Sequence, residues 1–272
     1  MRAPAWQLLP AIRSLLLDPR IRGVDIDSPE ALDLHRQIAI EKQLMRAVFK
    51  GFYDVSVDLA EAHFRVSGKQ VEIGAGGSFF KEYYPEVITT DIKPSSHLDM
   101  ILDAQDMRFD REEVAVFYGF NCFHHLPQPR RFFRELGRVL IPGGGCILVE
   151  PYNGWLSRIV HANVHAHEFF DPNQRTWEAV STSVGPLSGA NQALSYIVFD
   201  RDRAKFAEEF PFLQVVSTFP LTNYVRYILA GGVNFRQLVP NATERILGGM
   251  EFILSPLARW LALHHAVVLR KL

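Results

Sequence analysis

The chain has 272 residues, of which 48% are hydrophobic and 22% are charged, and its formal net charge is −1. This composition is typical of a soluble globular protein with a sizeable core. The near-neutral net charge offers no basic surface for nucleic acid, so we do not expect a nucleic-acid partner. Only two cysteines occur, without metal-ligand spacing, and no stretch has the apolar length of a transmembrane segment. We therefore expect a reduced, cytoplasmic protein.

Residues 1–66 are predicted to form the N-terminal helices. The first 17 residues contain an early arginine and an interrupted apolar run, which indicates a packed helix rather than a signal peptide. A second helical stretch begins with Ser28 as its cap and a proline in the first turn, and we expect it to break near Gly51. Its charged residues, including Arg36 and Lys42, are expected on a solvated face.

Strands and helices then alternate as far as residue 151. Helices are predicted in "SFFKEYYP" and in "PRRFFRELGRVLIPGGG", where Pro142 and the glycines would stop the helix. Apolar strands that alternate with helices predict an α/β fold with a parallel sheet covered by helices on both faces. The five strands predicted in this region are "KQVEIGA", "VITTDI", "LDMILDA", "EVAVFYGF" and "CILVEP".

The alternation is interrupted after residue 151. A helix is predicted in "RDRAKFAEEF", a strand in "FLQVVSTF", mostly helical structure from Pro220 to Leu263, and a final strand in "HAVVLRKL". Ligands of open parallel sheets bind at the carboxyl ends of the strands. If the last two strands form an antiparallel pair, two insertions begin at that edge and can form a cap or lid over a binding site. The expected core is 67–151, 200–220 and 264–272, with insertions at 152–199 and 221–263.

A glycine-rich turn, Gly74 to Gly77, follows the first strand and precedes a helix. Glycine permits a tight turn and a close approach of the backbone to a ligand, and the helix N-terminus offers unpaired N–H groups. The spacing differs from G-x-G-x-x-G, because Phe79 stands where the third glycine would be, and this argues against a dinucleotide. No Lys followed by Ser or Thr comes after the glycines, so the turn is not a P-loop.

Three carboxylates stand at or near the ends of neighbouring predicted strands. Glu72 precedes the glycine turn, where it would repel a pyrophosphate but could receive a cation. Asp91 ends the second strand, where it can accept two ribose hydroxyls. Asp103 ends the third, where it could accept from an exocyclic amine. The pattern suits a ligand with a ribose, an adenine and a positively charged end.

These motifs, "VEIGAGGSFF", "TTDI", "LDAQDM" and "GFNCFHHLPQPRRFFRELGRVLIPGGGCILVEP", resemble in order those of class I S-adenosylmethionine-dependent methyltransferases. The resemblance covers about Val71 to Pro151 and departs from the family at the adjacent Gly76 and Gly77, where Ser78 takes the place of the third glycine. It implies a Rossmann-like sheet of seven mostly parallel strands with an antiparallel last strand, and S-adenosylmethionine as cosubstrate.

The resemblance also implies a role for each matching residue. Glu72 and the turn would hold the methionine part, Asp91 the ribose, Asp103 the adenine amine, and two residues after the fourth strand would line the sulfonium. The full set of expected cofactor-binding residues is Glu72, Gly74, Ala75, Gly76, Gly77, Asp91, Ile92, Asp103, Ala104, Gln105, Phe120 and Asn121.

Histidines supply the candidate bases for methyl transfer to a hydroxyl, which must lose a proton. His124 and His125 follow the fourth strand, and His167 and Glu168 lie in "HANVHAHEFFDP" in the first insertion. His161, His165 and His167 could also bind a divalent metal, but the spacing is not H-E-x-x-H and no fourth strong ligand is evident. We therefore predict no metal site and interpret the segment as a polar lid surface.

We therefore predict an S-adenosylmethionine-dependent methyltransferase of small-molecule biosynthesis, with O-methylation of a small or lipid-linked acceptor by in-line transfer. Carbon and nitrogen acceptors stay open, as do the monomeric or homodimeric state and a peripheral membrane contact of the apolar C-terminal helices. The alternatives are a nicotinamide-dependent oxidoreductase and a non-catalytic partner protein that binds the cofactor.

Overall fold

The computed structural model describes residues 14–164, 168–179 and 187–272, so the helix predicted at the N-terminus lies largely outside the described residues. Its centre is one seven-stranded sheet with the order β3-β2-β1-β4-β5-β7-β6. The strands pair in parallel except β7, which is antiparallel to both of its neighbours. The predicted Rossmann-like topology is confirmed. The strands are β1 (Lys69–Ile73), β2 (Ile88–Asp91), β3 (Met100–Ile101), β4 (Val114–Phe120), β5 (Leu140–Pro151), β6 (Leu213–Pro220) and β7 (His264–Lys271).

Helices cover both faces of the sheet, as predicted. Side chains alternate along a strand, so Phe117 of β4 packs in one buried cluster with α4 and α7, and Tyr118 packs in the other with α1, α2 and α3. The helices are α1 (Pro29–Glu41), α2 (Gln43–His63), α3 (Phe80–Tyr83), α4 (Pro129–Val139), α5 (Trp155–Val164), α6 (Leu194–Tyr196), α7 (Arg203–Glu209), α8 (Tyr224–Ala230), α9 (Glu244–Leu254) and α10 (Ala258–Leu261). A π-helical segment, Ile197–Arg201, joins α6 to α7.

The predicted helix break near Gly51 is wrong, because Gly51 lies inside α2 and the break is at Lys42. The Lys42 side chain is buried, and its ammonium donates to the carbonyl oxygens of Gly232 (3.0 Å) and Phe235. The break therefore lies at a residue whose side chain is bonded to a segment almost two hundred residues away. Ser28 does cap α1, since its hydroxyl accepts from the Ala31 N–H at 3.3 Å.

The second predicted helix boundary also differs from the structure. Helix α4 ends at Val139, and β5 begins at once with Leu140, so Pro142 and its glycines lie in the strand. The pairing of β4 with β5 shifts register between Val114 and Val116. Such a bulge leaves backbone groups outside the ladder, so a proline without an N–H is tolerated there.

Both insertions begin at the same edge of the sheet. The carboxyl ends of β5 and β6 flank the start of β7, where His265 pairs with Glu150 on one side and with Pro220 on the other. The second insertion is less helical than predicted, because the 231–240 segment between α8 and α9 is irregular. Among the described residues, no helix has the length and apolar character needed to cross a bilayer.

Candidate active site

A cavity of about 370 Å³ lies at the carboxyl edge of the sheet. Its walls come from the ends of β1, β2 and β4, from α1, and from both insertions, which contribute Gln192 and Tyr227 among others. All twelve residues expected to bind the cofactor line this cavity, as do His124, His125 and Glu168. His167 lies outside the described residues.

The glycine turn packs directly against α1. Gly74 has φ +60° and Gly76 has φ +48°, which glycine adopts without strain. A Cβ on Gly77 would stand 2.7 Å from the backbone nitrogen of Arg36 in α1, so only glycine lets the helix approach this closely. Arg36 is not on a solvated face as expected, because its guanidinium donates to the Ser78 carbonyl and to Glu82 (2.6 Å).

Glu72 is fully enclosed at the base of the turn, with 1% of its surface exposed. Within the described residues, its Oε2 atom has no hydrogen-bond partner although it is buried. Burial raises the pKa of this carboxyl to about 8, because low-dielectric surroundings disfavour the charged form. An unsatisfied buried acceptor normally has a partner, so this carboxyl fits a ligand that brings a cation or an N–H donor.

The acids of the neighbouring strands also face the cavity. The Asp91 carboxylate accepts from the backbone N–H groups of Gly76 (2.8 Å) and Lys93 (2.9 Å), which fixes its orientation at the end of β2. The Oδ1 atom of Asp103 accepts from the Gln105 backbone N–H at 2.8 Å. Each carboxylate oxygen has further lone pairs, so both acids can still accept from hydroxyl or amine groups of a ligand.

A buried carboxylate that the sequence analysis missed organises the turn after β4. Glu150, at the end of β5, accepts from the backbone N–H groups of Cys122 and Phe123, each at 2.9 Å, and from the His124 Nδ1 at 2.6 Å. Burial alone would lower the pKa of His124, but the Glu150 charge and hydrogen bond raise it above its ordinary value. Glu150 is another acid at a strand end, which is the same signal that identified Glu72.

Glu168, from the first insertion, lies close to His124 and His125. Its carboxylate lies 3.6 Å from His125 Nε2 and 3.9 Å from His124 Nε2, and Gln192 donates to it. The ligand atoms of the two histidines and Glu168 lie within 4.8 Å of one another, so this group could also hold a divalent cation. The sequence could not indicate this proximity, because Glu168 is more than forty residues away from the histidines.

The other polar residues of the first insertion have different roles. His161 is buried beside the cavity with its Nε2 3.3 Å from the Leu263 carbonyl, and its ring stacks on Phe170. Asn191 is turned into the insertion, where its side chain bonds the backbone of Asp171. Of the neighbouring amide side chains Asn191 and Gln192, only Gln192 lines the cavity. His165, which the metal interpretation required, lies outside the described residues.

Residues 71–148 match a family model described as a methyltransferase domain. None of the curated protein sequences matches the chain significantly. Among solved structures, geranyl diphosphate C-methyltransferase from Streptomyces coelicolor A3(2) is 11% identical, with 94% of this chain and 88% of that chain covered and a TM-score of 0.46. An S-adenosylmethionine-dependent methyltransferase from Mesorhizobium loti is also 11% identical, with 79% and 96% covered and a TM-score of 0.44.

Phosphoethanolamine N-methyltransferase 2 of Haemonchus contortus is 11% identical, with 93% of this chain and 59% of that chain covered and a TM-score of 0.43. TM-scores this low add nothing to the assignment, which rests on the family match and on the strand order of the sheet. The matched segment contains the glycine turn and all three predicted acids of the cavity. Residues 71–148 are therefore a methyltransferase domain, and its methyl donor is S-adenosylmethionine.

Proposed function

We propose that this enzyme methylates a hydroxyl group of a small or lipid-like acceptor held under the two insertions. The observation that carries the proposal is a single cavity lined by the acids of the first three strands and by two histidines. Of these histidines, His124 is paired with Glu150, and His125 lies beside Glu168. S-Adenosylmethionine supplies an activated methyl group, and the protein has to align the acceptor with it and remove the acceptor proton.

We assign the acids of the first strands to the methyl donor. The unpaired Oε2 atom of Glu72 would bind the amino group of the methionine part, and the Gly74–Gly77 turn would accommodate the backbone of that part. Asp91 would accept from the ribose hydroxyls and Asp103 from the adenine amine, with Ile92 beside the ring. Ala75, Ala104 and Gln105 would provide backbone contacts, and Phe120 and Asn121 would border the sulfonium.

The acceptor proton would pass to the pair His125 and Glu168. His125 Nε2 and the Glu168 carboxylate are 3.6 Å apart, so a proton taken by the imidazole is stabilised by the neighbouring charge. His124, whose Nδ1 bonds Glu150, would hold the orientation of this pair and add positive charge. His167 stays a prediction for a further acid or base.

The proposed acceptor is apolar apart from its hydroxyl. Met45, Phe49 and Val233 line the cavity from α2 and from the second insertion, together with the ring of Tyr227. An apolar wall with few polar groups is typical of sites for small organic ligands. We propose that the insertions 152–199 and 221–263 act as the lid of this site, because both contribute wall residues.

The first experiment separates this proposal from a nicotinamide-dependent enzyme. Calorimetric titration of the purified protein with S-adenosylhomocysteine should show one site, and titration with NAD should show no heat of binding. Binding of NAD alone would contradict the assignment of Glu72, which should repel a pyrophosphate once it is ionised.

The second experiment tests the transfer itself. A panel of hydroxylated aromatic and lipid-like compounds is incubated with the enzyme and S-adenosylmethionine, and methylated products are identified by mass spectrometry and NMR. With the best acceptor, His125→Ala and Glu168→Gln should each lower kcat by about 10²–10⁴ while the affinity for S-adenosylhomocysteine stays unchanged. His63→Ala, at the distant end of α2, is the matched control.

Three outcomes would contradict the proposed mechanism. An unchanged kcat in both variants would remove the proton-transfer role, and a product methylated on carbon or nitrogen would exclude the hydroxyl acceptor. Donor binding without turnover of any compound would favour the non-catalytic partner. Because His124, His125 and Glu168 could bind a cation, kcat is also measured with a chelator and with added Zn²⁺ or Mg²⁺.

A further inference from the structure

Helix α9 turns Glu251 inward. Glu251 is 2% exposed, and its carboxylate accepts from the backbone N–H and the Nε of Arg226, each at 2.7 Å. Arg226 also bonds Glu244, at the start of the same helix, at 2.8 Å. These bonds fix the rotation of α9 about its axis, since a half turn would expose the ion pair and bury the opposite face.

The opposite face of this segment is apolar and exposed. Large hydrophobic side chains recur at steps of three or four residues from Ile246 to Trp260, which is the spacing of one side of a helix. Phe252 is an additional exposed side chain that borders this side next to Ile253. Phe252 is 80% exposed, and Ile253 is 75% exposed. A contiguous exposed apolar surface usually marks an interaction site. We call this surface the apolar stripe; its residues are Ile246, Met250, Phe252, Ile253, Leu257 and Trp260.

Among the described residues of α9 and α10, the charged side chains that are exposed are arginines. Arg245 and Arg259 are exposed beside it, and the Arg259 guanidinium stacks 3.6 Å from the centroid of the Trp260 ring. The acids of α9, Glu244 and Glu251, are both paired with Arg226. From Phe252 to the end of the chain, no acidic residue occurs.

Helix α5 lies next to α10 and also has exposed apolar and basic side chains. It packs against α10, and its first residue, Trp155, is 64% exposed. Arg158, one turn later, is exposed and carries a third positive charge. Tryptophan and arginine are suited to the boundary between water and acyl chains, where the ring lies among the headgroups and the guanidinium reaches the phosphates.

We propose that the apolar stripe docks this enzyme on an anionic lipid surface, with α9 and α10 lying in the plane of the headgroups. Apolar side chains would enter the acyl boundary while the three arginines contact lipid phosphates. The charges favour lipid over a second copy of the chain, because two copies would bring the same arginines face to face. The proposal concerns membrane contact and is independent of which atom is methylated.

The test is flotation of the full-length protein with vesicles of phosphatidylcholine alone and of phosphatidylcholine with one quarter phosphatidylglycerol. Wild-type protein should bind the anionic vesicles at least several-fold more than the neutral ones. Phe252→Glu/Ile253→Glu should lower this binding at least tenfold. Leu15→Glu/Leu272→Glu, at exposed positions away from the stripe, has the same charge change and should bind as wild type. Arg158→Gln/Arg245→Gln/Arg259→Gln should remove the preference for anionic lipid.

Folding is checked by melting temperature and by S-adenosylhomocysteine affinity, both of which the surface variants should retain. If the glutamate variant does not fold, the wild-type protein is instead mixed with vesicles that contain brominated lipid. Quenching of its tryptophan fluorescence by that lipid would support the proposal. Equal binding of the stripe variant and its control, or no binding of wild type, would overturn it. A wild-type dimer that becomes monomeric in Phe252→Glu/Ile253→Glu, without vesicle binding, would reassign the stripe to contact between copies.

Discussion

Replacement of Glu72 by Gln tests how the cavity recognises a cationic ligand. Burial raises the pKa of this carboxyl to about 8, so at pH 7 about ten molecules are neutral for each ionised one. A ligand ammonium group favours the ionised form, and its binding should therefore expel a proton. Since about ten of every eleven free molecules carry this proton at pH 7, full ionisation in the complex should release about 0.9 proton per ligand bound.

The raised pKa of Glu72 also determines how the affinity for S-adenosylhomocysteine depends on pH. Because binding releases protons, affinity should rise with pH, by nearly tenfold per unit between pH 6 and pH 7.5. Ionising Glu72 at pH 7 costs about 1.4 kcal/mol, while a hydrogen bond to a charged group contributes about 3 kcal/mol. Glu72→Gln should therefore weaken S-adenosylhomocysteine binding about tenfold at pH 7, and the difference should widen as the pH approaches 8.

The assay is calorimetric titration with S-adenosylhomocysteine in two buffers of different ionisation enthalpy. The difference in proton release between wild type and Glu72→Gln isolates this carboxyl from the titration of the ligand. Gln matches the neutral form of the free enzyme, so the melting temperature should hardly change, and Glu61→Gln on the exposed side of α2 serves as control. Equal proton release in both proteins, or a wild-type affinity that is flat with pH, would refute the reasoning.

Three further changes test the packing around the site. Gly77→Ala should force α1 away and lower S-adenosylhomocysteine affinity in calorimetry, whereas Gly249→Ala, with nothing within 4 Å, should raise stability by about 1 kcal/mol; equal effects would contradict the close approach. Glu150→Gln should cost about 3 kcal/mol in urea unfolding, because it leaves buried N–H donors without a carboxylate, and a loss below half a kcal/mol would disprove this. Burial lowers the pKa of His265 to about 4, so stability should fall as the pH drops below 6.5, by about 2 kcal/mol at pH 5 relative to His265→Gln; parallel urea curves for the two proteins would contradict it.

Much of the site was predictable because its signals are local. The positions of Glu72, Asp91 and Asp103 at the ends of successive strands required only strand boundaries and the rule that parallel strands share a carboxyl edge. The glycine turn was equally local, since it depends on backbone conformation within a few residues. The predicted break at Gly51 was wrong because the buried face of α2 stabilises the helix by more than one glycine destabilises it. The break at Lys42 accompanies bonds of its side chain to carbonyl groups far away in the chain.

The sequence by itself determined the order of the strands and helices, the acids at the strand ends and the turn between them, because these depend on neighbouring residues and on side-chain alternation. Only the tertiary structure decided that Glu150 holds the turn at His124, that Glu168 reaches His125, and that α9 exposes its apolar side. Each of these depends on contacts between segments distant in the chain, for which periodicity and composition contain no signal.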